Sequence, residues 1–226
     1  MLRAAANCAR RRPAIITATK GAHRTMTDRL FDPARTAFIS IDMQKGVASH
    51  DSVPNSASDV IARVGSMVEA ARAGGGLVVY VRTSFLPDES DALHPKMDVA
   101  RPAKPVRPAG WDELVPELQP LPTEPVIVKR SFDAFYGSDL DLQLRRHGID
   151  TIVIAGISTN FGVEGTARSA YNHGFDVVFA EDAMGTGSVA MHEGSLANVF
   201  PYIGRVRTVE QIVAAFTATD SSEAAA

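Results

Sequence analysis

The amino-acid sequence predicts an α/β fold: a doubly wound, mostly parallel sheet of six strands in a Rossmann-type three-layer arrangement, with helices on both faces. Two observations carry this. Short β-rich runs alternate along the chain with stretches whose apolar residues recur at helical spacing. The helical stretches are bounded by capping residues and by glycine or proline. Strands that alternate with helices pair in parallel through right-handed crossovers, which cover both faces of the sheet.

The elements follow in order. Residues 36–41 form the first strand. Residues 57–73 carry Val60, Ile61, Val64, Met67, Val68 and Ala71 at helical spacing, and Gly74, Gly75 and Gly76 stop that helix before a strand at 77–82. Residues 84–125 break the rhythm with many prolines and one short helix-like stretch at 111–118, so they are expected to form a lid or an interface rather than core. A third strand at 126–129 precedes a helix at 139–147, which Ser138 can cap and Gly148 ends. A fourth strand at 151–155 leads into a helix at 160–173, ended by Gly174. Strand five follows at 177–180, then a helix at 188–200 stopped by Pro201. A weak sixth strand at 205–207 precedes a last helix, capped by Thr208 and running to Phe216.

A length of 226 residues with ordinary apolar content suits one globular domain, placed at 26–217. No apolar stretch approaches the roughly 20 residues that span a bilayer, so no membrane association is expected. The single cysteine, Cys8, cannot form an internal disulfide, and a reduced, cytoplasmic setting follows as the expectation. Residues 1–25 hold Arg3, Arg10, Arg11, Arg12, Lys20 and Arg24 with no acid. They read as a disordered basic tail, either an organellar leader or sequence upstream of a start at Met26. Without those six of the 23 cations, 17 remain against 26 acids, a formal charge of −9 that opposes nucleic-acid binding. Residues 218–226 read as a frayed polar end.

In an open parallel sheet, ligands bind beyond the carboxyl ends of the strands, near the point where strand order reverses. Three features fall there. Asp42 follows the first strand, Lys129 ends the third, and the turn Gly156-Ile157-Ser158-Thr159-Asn160-Phe161-Gly162-Val163-Glu164 follows the fourth. A strand turning into a helix aims first-turn N–H groups at one spot, where an oxyanion or polarised carbonyl is stabilised. The convergence of an acid, a cation and such a turn says more for a site than any one of them alone. A structural ion pair at a strand edge, with Gly162 easing the turn, is the alternative that spacing leaves open.

The turn segment, continuing through Gly165-Thr166-Ala167-Arg168, resembles the nucleophile segment of the isochorismatase-like, or cysteine hydrolase, superfamily, and matches run in order across residues 33–216. It is similar in particular to uncharacterised bacterial family hydrolases that share Gly-Ile-Ser-Thr-Asn-x-Gly-Val-Glu and Ala-Phe-Tyr-Gly-x-Asp-Leu. The resemblance implies Asp42, Lys129 and position 162 as the catalytic set. Members usually carry Cys where this chain has Gly162, although isochorismatases proper also have Gly there. It further implies a non-proline cis peptide at Ile157-Ser158, with the N–H groups of Ser158 and Gly162 facing the substrate. Candidate substrate- or oxyanion-binding residues are Gln44, Thr83, Phe132, Phe135, Ser158 and Thr159. Thr159 and Asn160 are better read as helix caps.

Loss of the thiol closes a thioester route. The expected activity is therefore hydrolysis of a small-molecule substrate by Asp42/Lys129 acid–base chemistry. Two rivals stand: a ligand-binding relative that has lost catalysis, and isochorismatase activity proper. Against the second, Thr83 and Ser158 stand where the resemblance implies Gln and Tyr. Some relatives bind a metal through an Asp and two His after the second strand; that segment here offers Asp88, Asp91 and a lone His94, so no metal is expected. No nucleotide cofactor is expected either, because Gly74 to Gly76 lack the Gly-x-Gly-x-x-Gly spacing. The resemblance also implies a homo-oligomer. Glu164 with Arg168 reads as an exposed ion pair, and Asp182 and His192 as structural polar contacts.

Overall fold

The computed structural model describes residues 29–99 and 107–218. The order is β1 (Thr36–Ile41), α1 (Lys45–Ala48), β2 (Val53–Pro54), α2 (Ala57–Ala73), β3 (Leu77–Thr83), β4 (Val126–Lys129) and α3 (Leu140–Arg146). Then come β5 (Thr151–Ile157), a π-helical turn (Thr159–Val163), α4 (Glu164–Asn172), β6 (Asp176–Thr186), α5 (Val189–Asn198), α6 (Phe200–Ile203), β7 (Arg205–Arg207) and α7 (Val209–Thr217). The expected tail at 1–25 and, apart from Ala218, the one at 218–226 lie outside the described residues.

The sheet has seven strands among the described residues, in the order β2-β6-β5-β1-β3-β4, with β7 paired to β6. All pairs are parallel except β2 with β6. The sequence leaves out β2, whose two residues hold no pattern of their own and are placed by pairing with Gly185 and Thr186. From β1 the chain winds outward through β3 and β4, then returns to the other side of β1 as β5. Strand order therefore reverses at β1, and the carboxyl ends of β1 and β5 open there together.

Both faces of the sheet are buried, as a parallel sheet requires. Phe38, Tyr80, Val153 and Val178 face α2 and α7, whose Val64, Met67, Ile212 and Phe216 fill that layer. Ile39, Ile41, Val79, Ile154 and Phe179 face α3, α4 and α6, which bring Leu140, Leu144, Ala167 and Phe200. Helix α7 opens with a full capping box between Thr208 and Gln211, and Ser56 caps α2 through the N–H of Asp59.

Three helical expectations need correction. Residues 111–118 form turns rather than a helix. Their backbone is taken up by β-type pairing with the segment after β1: Lys45 N–H donates to Glu113 O at 2.9 Å and Val115 N–H to Met43 O at 3.1 Å. Pro201 does not stop a helix but sits in the first turn of α6, where its missing N–H has no partner to lose. The stretch after β5 begins as a π-helical turn before continuing as α4. None of the helices among the described residues is long and apolar enough to cross a membrane.

Candidate active site

β1 ends one residue before Asp42, whose backbone takes the left-handed conformation, φ 52°. That region is uncommon for a residue with a side chain. It is fixed from both sides, since the Asp42 N–H donates to Val81 O at 2.8 Å and its carbonyl accepts from Gln44 N–H at 2.8 Å. Asp42 is thereby turned out of the strand direction and into the space beyond the sheet.

Lys129, the last residue of β4, is 2 % exposed and reaches the same space across β3. Its ammonium donates to Asp42 Oδ2 at 2.7 Å, to Thr83 Oγ1 at 2.8 Å and to the Ser131 carbonyl at 3.0 Å. An ammonium has three N–H donors, so all are used. Thr83 ends β3 between them, and its hydroxyl donates to Asp42 Oδ1 at 3.1 Å. The result is a closed triangle of carboxylate, ammonium and hydroxyl. Burial pushes the Asp42 carboxyl above its ordinary range, against the opposing pull of the Lys129 charge and the Lys129 and Thr83 hydrogen bonds.

The third corner is the turn after β5. Gly156 makes the turn reachable: with φ 129°, it packs so closely on β1 that a Cβ there would stand 2.1 Å from the Ile41 carbonyl oxygen. The Ile157-Ser158 peptide is cis, as the resemblance implied. Gly162 follows within the π-helical turn, directly against the acid. A Cβ at position 162 would lie 2.9 Å from Ile41 Cγ2, 3.1 Å from Asp42 Oδ2 and 3.8 Å from Lys129 Nζ.

These groups open into a cleft of about 600 Å³. Asp42, Thr83, Lys129, Ser158 and Gly162 form its floor, and Phe132 and Phe161 form one wall with ring centroids 4.8 Å apart. The segment after β3 covers the opposite side. Arg107 stacks there over Phe85 and Trp111, 4.6 and 4.2 Å from the ring centres, and pairs with Glu89 at 3.1 Å. Arg130 pairs with Asp91.

Three candidates stand elsewhere. Gln44 is fully buried; its amide clamps both backbone groups of Thr83, accepting from the N–H at 2.8 Å and donating to the carbonyl at 3.1 Å. It holds the end of β3 and does not line the cleft. Phe135 is turned into the core against His173 and Phe175. Thr159 is fully buried and shares a 2.9 Å hydrogen bond with His192 Nδ1, while Asn160 Oδ1 accepts from the Thr186 hydroxyl at 2.6 Å. Neither side chain caps the helix. Ser131, Phe161, Phe85 and Arg107 were not anticipated. Ser131 contributes a backbone carbonyl and Arg107 arrives from an irregular loop, so neither carries a local sequence signal.

Asp182 accepts from the Val209 N–H at 2.8 Å, tying β6 to α7. Glu164 pairs with Arg168 at 3.0 Å, as expected, and also accepts from the Ser195 hydroxyl at 2.6 Å. Asp88 accepts from Ser90, and His94 lines the outer cleft.

Residues 36–211 match the family model described as the Isochorismatase domain. The chain is 44% identical to the uncharacterised isochorismatase family protein YecD of Escherichia coli O157:H7, over 79% of this chain and 94% of that protein. It is 33% identical to the ureidoacrylate amidohydrolase RutB of Variovorax paradoxus, over 80% of this chain and 81% of that one. Among solved structures, an isochorismatase family protein from Burkholderia thailandensis superposes with a TM-score of 0.79 at 39% identity, covering 84% of this chain and 99% of its own. With the sheet order, the cleft beyond β1 and β5 and these matches in hand, the chain belongs to the isochorismatase family of hydrolases.

Proposed function

We propose that the protein hydrolyses a small molecule by direct acid–base chemistry at Asp42, with no covalent enzyme intermediate. The observation that carries this is the facing of the buried Asp42 carboxylate and Gly162, where the family resemblance places a cysteine. The nearest point of the turn offers Asp42 no nucleophilic side chain. Lys129 supports the acid from the other side as a fixed charge. Its three donors are occupied, so it orients Asp42 rather than gripping substrate. A resident cation 2.7 Å from the carboxylate also favours metal-independent chemistry.

Two routes fit this floor. As an acid, Asp42 protonates the terminal carbon of a vinyl ether; water adds to the oxocarbenium carbon and returns a proton to the Asp42 carboxylate, and the resulting hemiketal expels the alcohol. As a base, Asp42 takes a proton from water attacking an amide or carbamate carbonyl and returns it to the departing amine. In the base route the N–H groups of Ser158 and Gly162, which the resemblance turns toward the substrate, stabilise the developing oxyanion; in both routes Phe132 with Phe161 walls the apolar part of the substrate. The upward push on the Asp42 carboxyl favours the acid route. Against isochorismate itself, Thr83 and Ser158 replace the Gln and Tyr that the resemblance implies.

The test is turnover of isochorismate, ureidoacrylate, nicotinamide and simple carbamates by purified protein, with Asp42→Asn alongside. Hydrolysis of a panel member that Asp42→Asn abolishes is expected, and hydrolysis that survives the substitution defeats the reading. The second reading, a binding protein without catalysis, is favoured by Gly162; it predicts thermal stabilisation by a panel member with no turnover. We also take the chain to be a homo-oligomer, which a single-chain mass by light scattering would refute.

A further inference from the structure

The floor of the cleft tolerates little error. A Cβ at Gly162 would already be within 3.1 Å of Asp42 Oδ2, so the turn backbone and the carboxylate stand almost in contact. Whatever sets the height of the turn therefore sets the reacting geometry. A displacement of about 1 Å in such a site can cost about a hundredfold in rate.

The turn is held from outside the cleft. Three side-chain hydrogen bonds tie its beginning and end to β6 and α5: Thr159 to His192, Asn160 to Thr186, and Glu164 to Ser195. The first is the best placed, because Thr159 opens the π-helical turn and both partners are buried, Thr159 fully and His192 with 4 % exposure. The other two bonds involve partly exposed groups, which water can replace. Thr159 follows Ser158 immediately, so a shift of its side chain is passed directly to the Ser158 N–H and, three residues on, to Gly162.

We propose that His192 is a positioning residue. Through its hydrogen bond to Thr159 it sets the separation between the Gly162 turn and the Asp42 carboxylate, and thereby the rate of the hydrolytic step. This rests on the acid–base reading of Asp42 for its kinetic consequence, but not for its structural one. The imidazole sits outside the cleft lining, touches no substrate, and acts only through the turn.

The experiment compares His192→Leu, His192→Asn and Thr159→Val with the full-length wild type. Asparagine places a polar atom where Nδ1 stands, whereas leucine removes it at similar bulk. Using a substrate identified in the panel, His192→Leu and Thr159→Val are expected to lower kcat about 10- to 100-fold with KM within about threefold, and His192→Asn to recover most of the loss. The double variant Thr159→Val/His192→Leu should be no slower than either single one. Without substrate, amide hydrogen exchange across residues 158–163 should quicken in His192→Leu and return to wild-type rates in His192→Asn. A kcat within threefold of wild type in His192→Leu, a loss confined to KM, or exchange at 158–163 unchanged would overturn the proposal. If no panel member is turned over by the wild type, the acid–base reading fails while the exchange result still decides the role of His192.

Discussion

Asp42 Oδ2 and Lys129 Nζ lie 2.7 Å apart, both side chains nearly closed off from solvent, with the Thr83 hydroxyl bonded to each. A buried pair of this kind gains little over an apolar pair but loses much when one partner is removed. Lys129→Ala is therefore expected to destabilise the fold by about 3–5 kcal/mol at pH 7, measured by urea unfolding. The loss should shrink as pH falls, because a protonated Asp42 no longer needs the ammonium.

Asp42 sets a pH dependence of its own. Its folded-state pKa is raised above 3.8, chiefly by burial, so the folded protein binds this proton more readily than the unfolded chain. The resulting stabilisation is fully present below the unfolded pKa and is lost as pH rises through the folded one. The stability difference between wild type and Asp42→Asn should follow that course. In kinetics, an acid role predicts kcat/KM falling with rising pH through the raised pKa, and a base role predicts the reverse.

Thr83 bridges the pair without carrying charge. Thr83→Val keeps its shape but leaves Lys129 with one unmet donor and Asp42 with one fewer partner, a cost of about 1–3 kcal/mol. Thr83→Ser should restore most of it. A Val variant as stable as wild type would show that the triangle is held by the ion pair alone.

Position 162 is closed to side chains as the site stands. Gly162→Ala must displace Ile41 Cγ2 and press on Asp42, and is expected to cost about 1–3 kcal/mol. Gly162→Cys carries the same strain, so introducing a thiol alone should not yield an efficient amidase. Thermal melting and a nicotinamide hydrolysis assay check both statements.

Gly156 is constrained by contact rather than chemistry. Gly156→Ala would drive a methyl into the Ile41 carbonyl from a positive-φ position, costing at least about 3 kcal/mol. Soluble yield and the urea midpoint should both fall sharply.

Much of the fold was legible because its signals are local. β1, β4 and β7 begin and end at the expected residues, as does α2, since β-branched runs and capping residues mark them directly. β6 runs on from Ala180 to Thr186 through Glu181 and Asp182, polar residues that end an apolar run; pairing with β5 and β2 carries the strand past them. Asp42 and Lys129 were legible as positions at strand ends, and Gly162 as part of the turn that follows β5. Gln44, Phe135 and Thr159 sit close to them in sequence yet point into the protein, because which way a side chain turns beyond a strand end is decided by its tertiary partners. Those partners, Thr83, Phe175 and His192, are all at least 30 positions away.

The complete use of the Lys129 donors limits how protons can circulate. With the ammonium bound to carboxylate, hydroxyl and carbonyl at once, it has no N–H left to face a substrate or a water, and the Thr83 hydroxyl is committed within the same triangle. Asp42 is then a terminus rather than a link in a relay. Under the acid route, proton transfer to carbon leaves it ionised, and the proton that recharges it comes from the water that adds to the oxocarbenium carbon, which enters through the cleft mouth past Phe132 and Phe161 and beneath the segment strapped by Arg107 and Arg130. Admission of that one water then both completes the hydrolysis and readies the carboxyl for the next turnover.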